Sequence, residues 1–309
     1  MTVQCGIAIP QMFHDGPIDM GLVRSYVKRA EELRYHSLWV QEQIIGGPAS
    51  LEPLSLLSYV SGVTERIRLG TAVIVATTRN PVLLAKELST IDQMSEGRLI
   101  VGIALGGRPR QYPLLGGPAD RRVRHFEESV AVMKALWEQP RASFDGDFWK
   151  LDGEAMEPRP VQKPHPPLWF GGRHDAGLRR AARLADGWMG AGSTTTEEFK
   201  RHVGVLRDAL ESRGRDASTF PVSKRVYIAL DDDEARAERR LREWFGRRYG
   251  NADLGPRVSV WGGAERCAEG LQQIVDGGAE MLMLNPTFDH MEHLEGLHTD
   301  VMPKVRHGE

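Results

Sequence analysis

A run of β-branched and apolar residues, 69–75, breaks into polar residues before a helix start at Pro81. In an α/β protein the carboxyl end of a parallel strand opens into a crevice where ligands bind. We therefore expect the chemistry of the chain beside residues 71–79, with Thr71 in the binding site. Arg79 could hold an anionic group, although a surface arginine beside a helix start is equally ordinary.

A carboxylate follows another short apolar segment, residues 37–41. Glu42 comes directly after it and Gln43 is next. If it is partly removed from water, the Glu42 carboxylate could donate or accept protons. A solvated or arginine-paired Glu42 is the alternative. We take Glu42, Gln43 and Arg79 as the candidate catalytic residues.

Two successive loops of small residues could hold a phosphate. Gly171, Gly172 and Arg173 lie between a predicted strand and a predicted helix, and Gly190-Ala191-Gly192-Ser193 follows the next strand. Free backbone amides, a helix N-terminus and a guanidinium are the groups that bind phosphate. Taken singly, the first loop also fits a glycine turn with a solvated arginine, and the second an ordinary helix cap. Together they favour a phosphate cradle.

Other kinds of catalytic centre have little support in the sequence. The glycines of residues 102–107 lack the spacing of a dinucleotide fingerprint. The histidines form no metal-ligand cluster, and we expect His290 and His293 in a solvent-facing loop. No nucleophile elbow or Cys/His pair is present. We predict no metal site, and a cofactor that brings its own reactivity remains as the explanation for an enzyme.

Eight short apolar segments alternate with helical periodicity along the 309 residues. The predicted strands span residues 5–10, 37–41, 67–75, 99–105, 167–171, 187–191, 222–230 and 280–284. Between several of them apolar residues recur three and four positions apart, as on one helix face. Since several strands are apolar on both faces, we predict an α/β fold, a single-domain (β/α)8 TIM barrel over residues 1–309, in preference to an open sheet.

Two segments interrupt this alternation, one after strand 4 and one before strand 5. Residues 106–120 are rich in Gly, Pro and Arg and predict a lid loop. Residues 140–167 contain an Asp-Gly pair between aromatic flanks, which predicts a hairpin in an insertion. We expect Leu105 and Gly106 to frame the barrel mouth, where glycines would let a ring system approach; plain turn residues are the alternative.

Composition and charge limit the kinds of partner that we expect for the chain. Forty basic and 42 acidic residues give a formal charge of −2, with no basic tail, which argues against a nucleic-acid partner. No apolar stretch approaches the ~18 residues of a membrane span, and the first residues do not resemble a targeting signal. We therefore expect a cytoplasmic protein that meets no membrane. Cys5 and Cys267 fit buried thiols.

Several short motifs in a fixed order resemble the bacterial luciferase-like family of flavin- and deazaflavin-dependent oxidoreductases, over essentially the whole chain. The motifs are Gly6-Ile7-Ala8-Ile9-Pro10-Gln11, Ser37-Leu38-Trp39-Val40, Arg66-Ile67-Arg68-Leu69-Gly70-Thr71-Ala72-Val73, Arg79-Asn80-Pro81-Val82-Leu83-Leu84-Ala85-Lys86, Asp92-Gln93-Met94-Ser95-Glu96-Gly97-Arg98-Leu99, Pro166-Pro167-Leu168-Trp169-Phe170-Gly171-Gly172 and Ala185-Asp186-Gly187-Trp188.

The resemblance implies a barrel with an insertion, usually dimeric, that binds reduced FMN or the deazaflavin coenzyme F420 at its mouth. In that family a cis peptide bond, often non-prolyl, ends the third strand and backs the isoalloxazine ring; here it would fall near Ala72 and Val73. The phosphate loops of the family match Gly171-Gly172 and Gly190-Ala191-Gly192. The implied function is an oxidoreductase, by hydride transfer or oxygen insertion, acting on a small organic substrate.

Two positions depart from the deazaflavin dehydrogenases of the family. Those enzymes tend to carry a histidine after the second strand and sometimes a glutamate after the fourth, where this chain has Gln43 and Gly107. A sugar-phosphate dehydrogenase is thereby disfavoured, and Glu42 could substitute only if its carboxylate turns inward. A different proton relay, or a monooxygenase in which the protein chiefly excludes water, stays open. A catalytically silent flavin-binding barrel and, more weakly, a metal-dependent barrel enzyme are the alternatives.

Overall fold

Eight parallel strands close into a barrel in the computed structural model, which describes residues 3–14, 16–107, 112–118 and 120–306. The strands are β1 (Gln4–Ala8), β2 (Met12–Phe13), β3 (Ser37–Val40), β4 (Ala49–Ser50), β5 (Arg68–Thr71), β6 (Ile74–Val75), β7 (Leu99–Ala104), β8 (Ala142–Asp145), β9 (Lys150–Glu154), β10 (Leu168–Gly172), β11 (Gly187–Gly190), β12 (Val222–Leu230), β13 (Val260–Gly262) and β14 (Met281–Pro286). The helices are α1 (Met20–Glu32), α2 (Pro53–Ser61), α3 (Pro81–Met94), α4 (Arg122–Glu138), α5 (Asp175–Leu184), α6 (Thr196–Glu211), α7 (Glu234–Tyr249), α8 (Leu254–Val258), α9 (Ala264–Asp276) and α10 (His290–Gly296).

The barrel follows the order β1-β3-β5-β7-β10-β11-β12-β14, and β14 pairs again with β1. All of these pairings are parallel, so the eight carboxyl ends meet at one rim. This confirms the predicted (β/α)8 barrel. The eight predicted strands correspond to these eight, with ends that differ by one or two residues in most cases.

Large side chains fill the barrel interior. Trp39, Trp169 and Met283 belong to one cluster of buried side chains that also contains Ile100. Trp39 fits because the neighbouring strand positions are glycines: a Cβ on Gly6 or Gly70 would overlap the indole. The interior is therefore a packed core below the rim.

Apolar residues three and four positions apart on α1, α3, α4, α6 and α9 are buried against the barrel. At α1 the first and last of them, Leu22 and Leu33, are only partly buried. The buried ones are Tyr26, Ala30, Leu84, Leu88, Ile91, Phe126, Val130, Met133, Trp137, Phe199, Val203, Leu206, Leu210, Cys267, Leu271 and Ile274. Cys5 and Cys267 are buried free thiols, as expected, and burial raises the pKa of each to about 12.

The third predicted strand, residues 67–75, is not continuous. It divides into β5 and β6 at a non-prolyl cis peptide bond between Ala72 and Val73, the position that the family resemblance implies. At this break the Thr71 side-chain hydroxyl forms two hydrogen bonds with the backbone of β7. It donates to the Gly102 carbonyl at 2.7 Å and accepts from the Gly102 amide at 2.8 Å. Thr71 is fully buried, so these bonds satisfy backbone groups that water cannot reach.

Both predicted insertions have counterparts in the structure. The hairpin of the second is confirmed: β8 and β9 pair antiparallel around the Asp-Gly turn. Residues 155–167, which lead from this hairpin to β10, are attached to α3, because the Gln162 side chain donates to the Asp92 carboxylate at 2.8 Å. In the predicted lid, residues 108–111 and 119 lie outside the described residues. Tyr112 is buried, and its hydroxyl donates to the Leu105 carbonyl at 2.7 Å.

The expectation for the C-terminal histidines was wrong. His290 and His293 lie in α10, and His293 is 3% exposed. Its Nε2 accepts the Leu230 amide at 2.9 Å, so the proton lies on Nδ1, which donates to the Asp289 carbonyl. His293 therefore ties α10 to the end of β12. No described helix is long and apolar enough to cross a membrane.

Candidate functional site

A cavity of about 630 Å³ lies at the carboxyl-end rim of the barrel. Its walls come from the segments that follow β3, β5, β7, β10 and β11, together with the end of α7. The predicted site residues that line it are Glu42, Ala72, Val73, Leu105, Gly106, Gly171, Gly172, Arg173, Gly190, Ala191, Gly192 and Ser193. Its volume is that of a small-molecule or cofactor site.

Three predicted site residues do not line this cavity. Thr71 is buried in the ladder below it. Gln43 turns back on its own loop and donates to the Gly46 carbonyl. Arg79 lines a separate cavity of about 580 Å³ beside α2 and α3.

The Ala72–Val73 peptide and the Gly171 backbone approach each other across the cavity floor. A Cβ placed on Gly171 would lie 2.8 Å from Val73 Cγ1, so only glycine allows this approach. A Cβ on Gly172 would meet nothing within 4 Å. Gly171 therefore maintains the contact between strands, whereas Gly172 borders open space.

The two glycine loops adjoin each other, as predicted. An Arg173 guanidinium nitrogen lies 3.5 Å from Ser193 Oγ, which places both loops at one end of the cavity. α5 begins just beyond the first loop, and its N-cap residue His174 makes no side-chain capping bond. The Arg173 guanidinium and the N-terminus of α5 give this end of the cavity positive charge that would attract an anion. We call this end, formed by residues 171–173 and 190–193, the phosphate pole.

A buried lysine holds the second loop in place. Lys224, on β12, is 2% exposed, and its Nζ donates to the Thr194 carbonyl at 2.9 Å, to Thr194 Oγ1 at 2.7 Å and to the Ala191 carbonyl. These bonds use all three ammonium protons. The carbonyls of the loop are thus drawn toward the barrel wall. Burial, with the nearby charge of Arg225, lowers the pKa of Lys224 to about 7.

Glu42 lines the cavity, but both of its carboxylate oxygens have partners. One accepts the Val75 amide at 3.1 Å, and the other accepts Arg79 Nε at 2.7 Å. Arg79 also pairs with Glu52 at 2.7 Å. Burial raises the pKa of Glu42, and the Arg79 charge opposes that rise. The arginine-paired alternative for Glu42 is therefore the arrangement that the structure has.

Sequence reasoning missed a polar network at the cavity floor. Arg225 of β12 lines the cavity and reaches Gln41 at the end of β3 and Asn285 of β14. Gln41 also donates to Asn285 at 2.6 Å. A signal was available: Ser223, Arg225 and Tyr227 occupy alternate positions of β12, which indicates polar side chains on one face, although Lys224 on the other face is charged as well.

Among the described residues no group of three His, Cys, Asp or Glu side chains is arranged to hold a metal ion. The cavity has small and apolar residues beside the Ala72–Val73 peptide, Arg225 in the same part of its lining, and Arg173 with the start of α5 at the glycine loops.

The Lys224 pKa gives a prediction about stability. Between pH 7 and pH 10.5 the unfolded chain holds a proton that the native lysine has released, so the free energy of unfolding rises with pH through this window. Lys224→Met removes that rise and leaves buried acceptors unpaired, at a cost of roughly 1–3 kcal/mol. We expect urea unfolding to show a gap between wild type and variant that widens from pH 7 to pH 9.5.

Lys200→Met is the matched control, because Lys200 lies on α6 with a side chain that is 41% exposed. It removes the same charge without opening buried hydrogen bonds. A gap for Lys224→Met that stays constant with pH would contradict the stated protonation of the buried amine.

Known proteins resemble the chain in sequence and in fold. An uncharacterized protein of Mycobacterium tuberculosis is 36% identical over 223 residues, which cover 71% of this chain and 72% of that protein. An FMNH2-dependent dimethylsulfone monooxygenase of Pseudomonas putida is 31% identical, over 60% of this chain and 51% of its own length. An F420-dependent glucose-6-phosphate dehydrogenase of Nakamurella multipartita is 29% identical, over 70% of this chain and 65% of its own length.

The fold is shared with solved structures. An F420-dependent secondary alcohol dehydrogenase superposes with a TM-score of 0.86, at 20% identity, over 99% of this chain and 100% of that one. The family model described as luciferase-like monooxygenase matches residues 2–281. The chain therefore belongs to the luciferase-like monooxygenase family.

Proposed function

We propose that the protein is an oxidoreductase that uses reduced FMN or reduced F420 to act on a small organic substrate, by hydride transfer or by oxygen insertion. The observation that carries the proposal is the single cavity that both glycine loops and the Ala72–Val73 cis peptide line. Relatives named for FMNH2 and for F420 support the two cofactor classes.

The lining suits such a cofactor in two parts. Ala72, Val73 and Gly171 offer a floor on which a flat ring could lie, because Gly171 has no side chain to raise it. At the other pole, Gly172 and Arg173 with residues 190–193 would hold the phosphate through amides and a guanidinium. Small residues on the floor at one end and Arg173 with the loop amides at the other match a ring with an anionic tail.

The bound cofactor would supply the hydride or, with dioxygen, the activated oxygen. The chain itself would position the reactants and exclude water. Leu105, Phe126, Phe170 and Met189 line the cavity and supply apolar surface for that exclusion. The substrate would enter from the rim beside Gly106.

Oxygen insertion and hydride transfer differ in whether a residue of the chain must donate a proton to the substrate. We propose that Glu42 and Arg79 act as a positioning pair, since the Glu42 carboxylate fixes the Val75 amide at the cavity edge and Arg79 fixes Glu42. Gln43 would hold the adjoining loop through Gly46. A carboxylate engaged in this way is a poor proton donor to a substrate. The arrangement therefore favours oxygen insertion, or a hydride transfer whose proton comes from another group.

We also propose a homodimer and a cytoplasmic location. Large apolar side chains at Ile44, Val82, Leu83 and Leu114 are exposed, by 64% for Leu83 and 71% for Leu114. A second copy that covered these side chains would remove them from water. Sedimentation velocity of the purified protein is expected to give twice the chain mass of 34.5 kDa, and a monomer at micromolar concentration would contradict the dimer.

Titration with FMN and, separately, with F420 tests the proposed function. We expect one of them, in its oxidised or reduced form, to bind with micromolar or tighter affinity, about −8 kcal/mol, as followed by absorbance and fluorescence. Binding of neither would refute the proposal. A cofactor that binds but that no electron donor reduces would indicate a binding protein without catalysis.

Gly172→Asp tests the phosphate pole. Because a Cβ at this position meets nothing, the aspartate adds charge without displacing the barrel wall. We expect cofactor affinity to fall roughly tenfold or more through repulsion of the phosphate. Gly172→Asn has the same shape without the charge. Gly171→Asp should also weaken binding, but there a clash with Val73 adds to the charge effect.

For FMN, riboflavin provides a further comparison, since it lacks the phosphate. The aspartate and asparagine variants should bind riboflavin equally well. Equal FMN affinities for Gly172→Asp and Gly172→Asn would show that the phosphate lies elsewhere.

A further inference from the structure

Arg225 projects into the barrel from β12 and links three other strands. Its Nε donates to Asn285 Oδ1 at 3.1 Å, and a terminal nitrogen donates to Gln41 Oε1 at 2.5 Å. Its other terminal nitrogen lies 3.4 Å from the carbonyl of Ala72, the oxygen of the cis peptide bond. The guanidinium thus lies against the peptide that forms the cavity floor.

The acceptors of Arg225 are all neutral. They are two side-chain amides, one backbone carbonyl and the hydroxyl of Tyr227. No ion pair found within residues 3–14, 16–107, 112–118 and 120–306 involves Arg225. In contrast, Arg180, which also lines the cavity, pairs with Glu127 at 3.0 Å. Among the described residues, therefore, no carboxylate neutralises the positive charge of Arg225.

The donor count leaves capacity for a ligand. A guanidinium has five N–H groups, and the contacts of Arg225 engage four of them, one only at 3.4 Å. The remaining N–H belongs to the nitrogen nearest Ala72. With respect to the described residues, that nitrogen thus keeps one unengaged and one weakly bonded donor, on a side chain that lines the cavity.

The surroundings strengthen the effect of this charge. Val73, Phe170 and Met189 line the same cavity and offer no polar side-chain group except the methionine sulfur. Glu42, the carboxylate in the lining, is occupied by the Val75 amide and Arg79. A cation in such a partly apolar cavity attracts an anion more strongly than it would in water.

We infer that Arg225 is the receptor for an anionic oxygen at the cavity floor, a second anion position distinct from the glycine-loop phosphate pole. The inference deepens the proposed function and rests on the same cavity. Two sources could bring the oxygen: the pyrimidine end of a reduced, anionic flavin-type ring, or the carboxylate or sulfonate head of an apolar substrate. In the first case Arg225 stabilises the reduced form, and in the second it selects acidic substrates.

The experiment compares wild type with Arg225→Gln and Arg225→Lys. In the first arm, calorimetry on cofactor-free protein measures the binding of octanoate and octanesulfonate against uncharged octan-1-ol. In the second arm, FMN and F420 are each titrated in oxidised and reduced form, and the ratio of the two dissociation constants is measured. The first arm needs no cofactor, so it still tests Arg225 if neither cofactor binds and the proposed function fails.

If the substrate carries the anion, wild type prefers octanoate or octanesulfonate to octan-1-ol by roughly tenfold or more, and Arg225→Gln loses that preference. If the reduced ring carries it, the preference for the reduced cofactor falls by a similar factor in Arg225→Gln. Arg225→Lys keeps part of either preference, because it keeps the charge and loses the fork of donors.

Arg66→Gln is the matched control, since Arg66 is a surface arginine whose side chain is 73% exposed. It removes one positive charge far from the cavity and should match wild type in both arms. Circular dichroism and thermal unfolding establish that the Arg225 variants fold. If folded Arg225→Gln equals wild type in both arms, the inference is wrong.

Discussion

Closure of the barrel is the constraint on which the site depends. The pairing of β7 with β10 and of β14 with β1 brings eight carboxyl ends to one rim. Residues that are far apart in sequence, such as Val73 and Gly171, come into contact there because the strands between them are paired. An open sheet would place β1 and β14 at distant positions, and the Arg225 contact with Gln41 would not form.

Charge is distributed unevenly around that rim. Buried or paired groups fix the scaffold: Lys224 holds the carbonyls of the second glycine loop, and Arg79 holds Glu42. Arg173 and Arg225 line the cavity and form no ion pair within the described residues. Lys224 donates to buried loop oxygens and Arg79 pairs with carboxylates, whereas we propose that Arg173 and Arg225 bind a ligand. On this proposal the site attracts anions although the chain carries a formal charge of −2.

Much of the fold followed from the sequence, and the failures have physical causes. Parallel strands buried on both faces gave continuous apolar runs, and α3, α4, α6 and α9 gave clear stripes. α2 gave none, since it is buried on several sides and carries little polar contrast. α7 gave none because only three of its 16 residues are buried. The burial of His293 could not be predicted, because it depends on hydrogen bonds with two backbone groups, the Leu230 amide and the Asp289 carbonyl, and no local sequence pattern indicates them.

Part of the candidate site could likewise be predicted from the sequence, and part could not. Glycine loops at strand ends are local features, so residues 171–173 and 190–193 could be predicted to meet. Arg225 could not be placed as readily, because its role depends on Gln41, Ala72 and Asn285, which come from three other strands. Likewise, the side-chain direction of Gln43 depends on its loop, and no local pattern foretells the bond to Gly46.

We propose that one cavity takes a flavin-type ring on the Ala72–Val73 peptide and its phosphate on the two glycine loops. A crystal structure of the protein grown with FMN or F420 would test this placement. We expect electron density for the ring in van der Waals contact with Val73 and for the phosphate within hydrogen-bonding distance of residues 171–173 or 190–193. Density for the cofactor at any other place on the molecule would refute the proposed binding mode.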